Sequence, residues 1–128
     1  FLGQRLDAAD LLEAADLFAL PSEREGLSIT LLEALRAGRA VVATRVGGNG
    51  EAIEEGVTGR LVEAGDAPSL AAALLDLLGD PDRAAAMGAG GRARWAERFT
   101  AARMARETES LYRAELARAR RDGAKAGR

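Results

Sequence analysis

The sequence predicts an α/β fold: a partial, mostly parallel sheet of three to four strands, with helices on both faces and a C-terminal helical extension. Short apolar runs alternate with stretches of helical periodicity over the first 78 residues. That alternation is the pattern of βαβ units, whose crossovers make the sheet parallel. Each apolar run is closed by Pro, Gly or a polar turn, so it is too short for a buried helix. The last third of the chain carries helical spacing alone, so the strands end and helices follow.

The elements follow in order. Phe1-Leu2-Gly3 reads as the tail of a buried strand. Asp7 is placed to cap a short helix over residues 8–15. Leu17-Phe18-Ala19-Leu20 is a buried-strand run stopped by Pro21 and Ser22. Ser22-Glu23-Arg24-Glu25-Gly26 is a polar turn. Residues 28–37 turn helical, and Gly38 stands where a C′ glycine belongs. Ala40-Val41-Val42-Ala43-Thr44 is a second buried strand. Gly47-Gly48-Asn49-Gly50 is a loop, followed by a short helix over residues 51–55 that stops at Gly56. Gly59-Arg60-Leu61-Val62-Glu63 is a third strand, less buried because Arg60 and Glu63 flank it. Asp66 or Ser69 opens a helix to about Leu78, with Leu70, Leu74, Leu77 and Leu78 on one face. Asp80-Pro81 opens another, with Pro in an early helical position. It carries Met87 and Trp95, and Gly88, Gly90 and Gly91 weaken it. A last helix starts near Thr100 with Met104, Leu111, Tyr112 and Leu116. Trp95 and Tyr112 read as packing residues. Residues 118–128 are basic, lack large apolar side chains and are expected to fray, which leaves 1–117 as the folded domain.

Composition narrows the chemistry. The chain has 128 residues, 48% of them hydrophobic, enough for one domain with a modest core. It has no cysteine and no histidine. Disulfides and thiolate metal sites are therefore excluded, and the commonest general base and metal ligand is missing. Any chemistry rests on carboxylates, Lys/Arg, hydroxyls and backbone groups. Lys and Arg number 18 against 20 Asp and Glu, which gives no electrostatic footprint for nucleic acid. Charges interrupt every apolar stretch before it could span a bilayer. No signal peptide is visible, so a cytoplasmic location is expected. The missing initiator Met and the small number of strands predict a fragment, with further strands upstream of Phe1.

The segment from Leu20 to Glu33 joins the C-terminal end of a strand to the start of a helix, the edge at which open α/β sheets bind ligands. A helix start offers free N–H groups and positive dipole, suited to a diphosphate. Gly26 lets the backbone approach closely. Glu25 lies before the helix and Glu33 lies inside it, roughly 7 to 8 Å along the axis from Ser28. Carboxylates accept hydrogen bonds from paired hydroxyls. A diphosphate on the helix start then has a sugar on one side and a ribose on the other, the shape of a nucleotide-sugar. Two plainer readings stand beside this. Ser22-x-x-Glu25 also fits a capping box, and turn chemistry explains the Gly47–Gly50 loop as well as phosphate binding does.

Glu25 and Glu33 enclose seven residues, and the frame around them is PS-x-x-EG, LLEA-x-x-AG-x-x-VVAT, GG-x-x-E and TG-x-LV. In these motifs the chain, over about residues 1–116, resembles the C-terminal part of retaining glycosyltransferases of the GT-B fold, notably family 4. The resemblance implies a Rossmann-like domain, a nucleotide-sugar donor carrying a hexose-type sugar, and bacterial relatives. It implies that Glu25 is the catalytic carboxylate at the transferred sugar. Backbone groups of Gly26, Leu27, Ser28, Ile29 and Thr30 would hold the sugar and diphosphate, and Glu33 the ribose. Gln4 to Leu6 fall where the family places base contacts. It implies no metal and no other cofactor. Two departures stand out: Leu27-Ser28 replaces a frequent Phe-Gly, and Asn49-Gly50 replaces a frequent Ile-Pro, which should loosen the loop near the cleft. The family's Arg/Lys pair and its acceptor-binding N-terminal domain are expected upstream of Phe1, so the fragment is expected to be inactive. In the family the last helix supports that N-terminal domain. Here its apolar face is left open to self-association, and membrane contact is expected only through the full enzyme. The alternatives are a non-catalytic α/β interaction module and part of a sugar-nucleotide epimerase, the latter disfavoured by the absence of histidine.

Overall fold

The structure, a computed structural model, describes Gly3 and residues 5–126. The strand tail expected at Phe1-Leu2 and the base contact expected at Gln4 lie outside the described residues. The elements are α1 (Ala8–Ala14), β1 (Leu17–Leu20), α2 (Ile29–Arg36), β2 (Ala40–Thr44), α3 (Asn49–Ala52), β3 (Gly59–Val62), α4 (Ala67–Leu78), α5 (Pro81–Arg98) and α6 (Ala101–Ala126). The chain divides into two compact units, residues 1–97 and 98–128.

The first unit is built on a sheet in the order β1-β2-β3. Both pairings are parallel, Leu17 lying opposite Ala40 and Val41 opposite Gly59. This register brings the strands to a common C-terminal edge at Leu20, Thr44 and Val62. All five residues of β2 are buried, as a central parallel strand covered on both faces requires. Ala40 and Val42 pack with Val62 against Ala73 and Leu77 of α4 and Ala84 and Met87 of α5. The alternate residues Val41 and Ala43 face the other way. Helix α2 packs on β1 and β2, and its Leu31, Ala34 and Leu35 are fully buried outside that cluster. Leu70 and Leu74 join the α4 seam, whereas Leu78, expected there, is 55% exposed.

Local chemistry explains the helix ends. Ser28 caps α2, its Oγ accepting from the Leu31 N–H at 3.4 Å, and Gly38 follows at φ +71°. Asp66 caps α4 through the Ser69 N–H at 3.0 Å, which settles which of the two opens the helix. Asp7 precedes α1 but does not cap it with its side chain. Its carboxylate is taken by Arg5, whose Nε donates at 2.7 Å. That pairing holds the Asp7 carboxyl below the usual carboxylate range.

Helix α5 runs unbroken through Gly88, Gly90 and Gly91 despite the propensity they cost. A Cβ on Gly88 would fall on the Gly38 carbonyl, and one on Gly91 would meet Leu35 Cδ2 at 2.8 Å. The glycines let the α5 backbone lie against the segment entering β2. The contact offsets a propensity cost of about 1 kcal/mol per glycine. Trp95 is half-buried.

In the second unit α6 continues to Ala126, so residues 118–126 of the stretch expected to fray are helical. Arg103–Glu107 and Glu109–Arg113 form i,i+4 pairs along it, both at 2.7 Å. Tyr112 is 65% exposed, so it is not the packing residue its spacing suggested. Among the described residues no helix is long and apolar enough to cross a membrane.

Candidate functional site

Candidate residues Glu25 to Thr30 lie where β1 delivers the chain to α2, whereas Glu33 faces a hollow lined by α1 and none of the loop residues. After Leu20 the chain crosses the C-terminal edge of the sheet in an irregular loop, residues 21–28, and α2 begins at Ile29. Gly26, Leu27, Ile29 and Thr30 are exposed around the helix start, whereas Ser28 is buried beneath them. The first-turn N–H groups of Ile29 and Thr30 have no intrahelical acceptor. They point with the positive end of the helix dipole toward the open side, a geometry that suits an anion. Ser28, in place of the frequent Gly, supplies the cap of this helix.

Glu25 is half-buried in the loop, and the Ser22 hydroxyl donates to its Oε1 at 2.9 Å. The pair is not a capping box, because the helix starts at Ile29 and Ser28 caps it. Glu33 is exposed on the second turn of α2. It borders a hollow shared with Leu12 and Glu13 of α1 and with Arg36, Arg39 and Arg92. A further hollow of about 550 Å³ lies at the opposite, N-terminal edge of the strands, between Leu17, Ala40, Leu77 and Ala84. Its charged groups are Asp16, Arg39 and Arg92, the two arginines shared with the hollow that Glu33 borders; open α/β sheets bind at the other edge, on the Glu25 side.

Three groups whose holding role the sequence did not show keep the loop in place. Thr44 ends β2, and its hydroxyl donates to the Ser22 carbonyl at 2.5 Å and lies 3.4 Å from the Leu20 carbonyl. Asn49 is fully buried and donates from Nδ2 to the Thr44 carbonyl at 3.0 Å. Gly47 and Gly48 press on the loop itself. The Gly48 N–H donates to the Gly26 carbonyl at 2.5 Å. Gly47 sits at φ +49°, and a Cβ there would fall on the Glu25 carbonyl oxygen. The Gly-rich loop thus packs backbone against backbone. Helix α3 begins at Asn49 and ends at Ala52, earlier than the 51–55 expected. With Asn49 buried, the Asn49-Gly50 departure anchors the loop where loosening was expected. The signal in the sequence was Thr44, the one polar residue in an apolar run.

A family model described as glycosyl transferases group 1 matches residues 1–80. The chain belongs to this family. This family member is similar to N-acetyl-alpha-D-glucosaminyl L-malate synthase of Bacillus anthracis, 38% identical over 112 residues, covering 88% of this chain and 29% of that protein. It is similar to D-inositol 3-phosphate glycosyltransferase of Thermobispora bispora, 45% identical over 84% of this chain and 26% of that protein. Among solved structures it resembles Anabaena Alr3699/HepE in complex with UDP, at a TM-score of 0.85 and 30% identity, over 89% of this chain and 32% of that one. The same Anabaena protein has been solved with UDP-glucose. The group 1 chain spans less than a third of the length of these curated relatives. The family match favours the glycosyltransferase reading over the epimerase and interaction-module alternatives.

Proposed function

We propose that the chain is the nucleotide-sugar-binding, C-terminal part of a retaining GT-B glycosyltransferase of family 4 that transfers a hexose-type sugar. The observation that carries this reading is the arrangement at α2. A half-buried carboxylate, Glu25, is held by Ser22 beside an open helix start, and a second carboxylate, Glu33, follows on the exposed face. Backbone groups of residues 26–30 take the diphosphate and sugar, Glu25 accepts from hydroxyls of the transferred sugar, and Glu33 accepts from the ribose hydroxyls. The Anabaena structures with UDP and UDP-glucose support a donor of this class. The site takes no metal or other cofactor in this reading. A nucleotide-sugar donor points to the cytoplasm, and the partner is an N-terminal domain that binds the acceptor and makes any membrane contact.

Calorimetric titration with UDP, GDP, ADP and their glucose or mannose esters tests the reading. One nucleoside diphosphate and its sugar ester should bind. Glu33→Ala should weaken both, and Glu25→Ala the sugar ester alone. If neither this chain nor the chain joined to an upstream domain binds any of the panel, the donor reading fails.

A further inference from the structure

The polar groups behind Glu25 form a continuous series. Asn49 donates to the Thr44 carbonyl at 3.0 Å, Thr44 to the Ser22 carbonyl at 2.5 Å, and Ser22 to Glu25 Oε1 at 2.9 Å. Thr44 is 3% exposed and Asn49 is fully buried. Water therefore competes little for the bonds that Asn49 and Thr44 donate, and these are stronger than on the surface. Asn49 Oδ1 has no hydrogen-bond partner. A buried orphan oxygen is unfavourable, and an apolar side chain would fill the space without one. What the amide adds at this position is the single bond it donates to the end of β2.

We propose that Asn49, Thr44 and Ser22 are positioning residues that carry the rigidity of central strand β2 to the Glu25 carboxylate and so set how the donor sugar is read. This rests on the reading of Glu25 as the sugar-contacting carboxylate. Strand β2 is buried along its whole length, so its end is a fixed point. Ser22 receives that fixed point at its carbonyl and passes it on through its hydroxyl. The Gly48–Gly26 bond clamps the same loop from the β2 side. A carboxylate tethered at one oxygen keeps the other free in a defined direction, which paired sugar hydroxyls require. A carboxylate on an untethered loop would spend part of its binding energy on being ordered.

The test compares the wild-type chain with Thr44→Val, Thr44→Ser and Ser22→Ala. The probes are the nucleoside diphosphate and the sugar ester that wild type selects from the panel above. Thr44→Val and Ser22→Ala should weaken the sugar ester about tenfold, the scale of one net hydrogen bond. Binding of the diphosphate alone should stay within about twofold, and Thr44→Ser, which keeps the hydroxyl, should recover most of the loss. Equal losses for both ligands, or no loss, overturn the proposal. A second arm uses no ligand and reads exchange of the Gly48 N–H. In Thr44→Val this amide should exchange at least severalfold faster while the amides of β2 keep their protection. Unchanged exchange at Gly48 overturns the proposal. If neither the wild-type chain nor the chain joined to an upstream domain binds nucleotide, the donor reading falls, and the exchange arm still decides whether Thr44 holds the loop.

Discussion

At the scale of single residues, the loop that carries Glu25 is shaped by groups far from it in sequence. Gly47 shows this most directly. Its φ of +49° is costly for any residue with a Cβ, and that Cβ would coincide with the Glu25 carbonyl oxygen. Gly47→Ala should therefore destabilise the fold by about 1–3 kcal/mol and displace the Glu25 loop. Denaturant unfolding with donor titration checks both effects. Asn49 gives a sharper electrostatic case. Asn49→Asp keeps the shape but replaces the donor with an acceptor against the Thr44 carbonyl, in a site with no solvent access. An uncompensated buried charge costs about 3–5 kcal/mol. The variant should unfold at markedly lower denaturant at neutral pH, and part of the loss should return on acidification, as the carboxyl takes up a proton. The candidates Glu25 and Glu33 were legible in the sequence because they lie in one local strand–turn–helix segment. Thr44 and Asn49 were not, because the Thr44–Ser22 bond joins positions 22 residues apart, and no local pattern reports such a pairing.

At the scale of elements, the same division between local and distant causes explains what the sequence revealed. Strands β1 and β2 were readable as short apolar runs ended by Pro21 and by the polar Thr44-Arg45. Helix α2 was readable from Ser28 and Gly38 at its two ends. The start of α3 was not, since Gly-Gly-Asn-Gly has the composition of a loop. The helix begins at Asn49 because a buried amide ties that residue to β2. The glycines of α5 have a related explanation: propensity describes an isolated helix, whereas Gly88 and Gly91 meet the neighbouring backbone and side chains. The cap of α4 also makes a pH prediction. The Ser69 hydroxyl and then its N–H hold the Asp66 carboxyl below the ordinary carboxylate range. A group whose pKa is depressed on folding binds fewer protons in the native state. Its contribution is present above the unfolded value and lost as the pH falls through the folded one. Acidification below the ordinary carboxylate range should therefore loosen the first turn of α4. The protection factor of the Ser69 amide, its exchange relative to the intrinsic rate at the same pH, should fall at low pH in wild type, and Asp66→Asn should flatten that pH dependence.

At the scale of the whole molecule, the chain carries more apolar surface than its own folds cover. In α6, Met104, Leu111, Tyr112 and Leu116 are 59–66% exposed, and their spacing puts them on one side of the helix. Contiguous apolar surface of this kind favours association in water. The isolated chain should sediment with a concentration-dependent mass, and Leu111→Lys with Leu116→Lys should reduce that dependence without altering helix content. The transfer reaction belongs to this scale as well. Cleaving a sugar from a nucleoside diphosphate builds negative charge on the leaving group, and that charge must be met by preorganised donors or cations. Near the open start of α2 the chain offers first-turn N–H groups and the helix dipole, worth about 0.3–1 kcal/mol for a charge at such an exposed end. Glycosyl transfer needs a barrier reduction many times larger. Of the cations, Arg45 pairs with Glu55 and Glu63 at 3.7 and 3.5 Å, Arg39 bonds to the Ala15 carbonyl at 2.9 Å at the far end of the strands, and Arg24 stands exposed in the loop. The chain alone should therefore bind donor without transferring the sugar. Incubation with the selected nucleotide-sugar and a panel of hydroxyl acceptors should release no nucleoside diphosphate above the uncatalysed rate. Release by the chain itself would show that the charge is met by residues within it, and would move the search for those cations to Arg24 and Arg45.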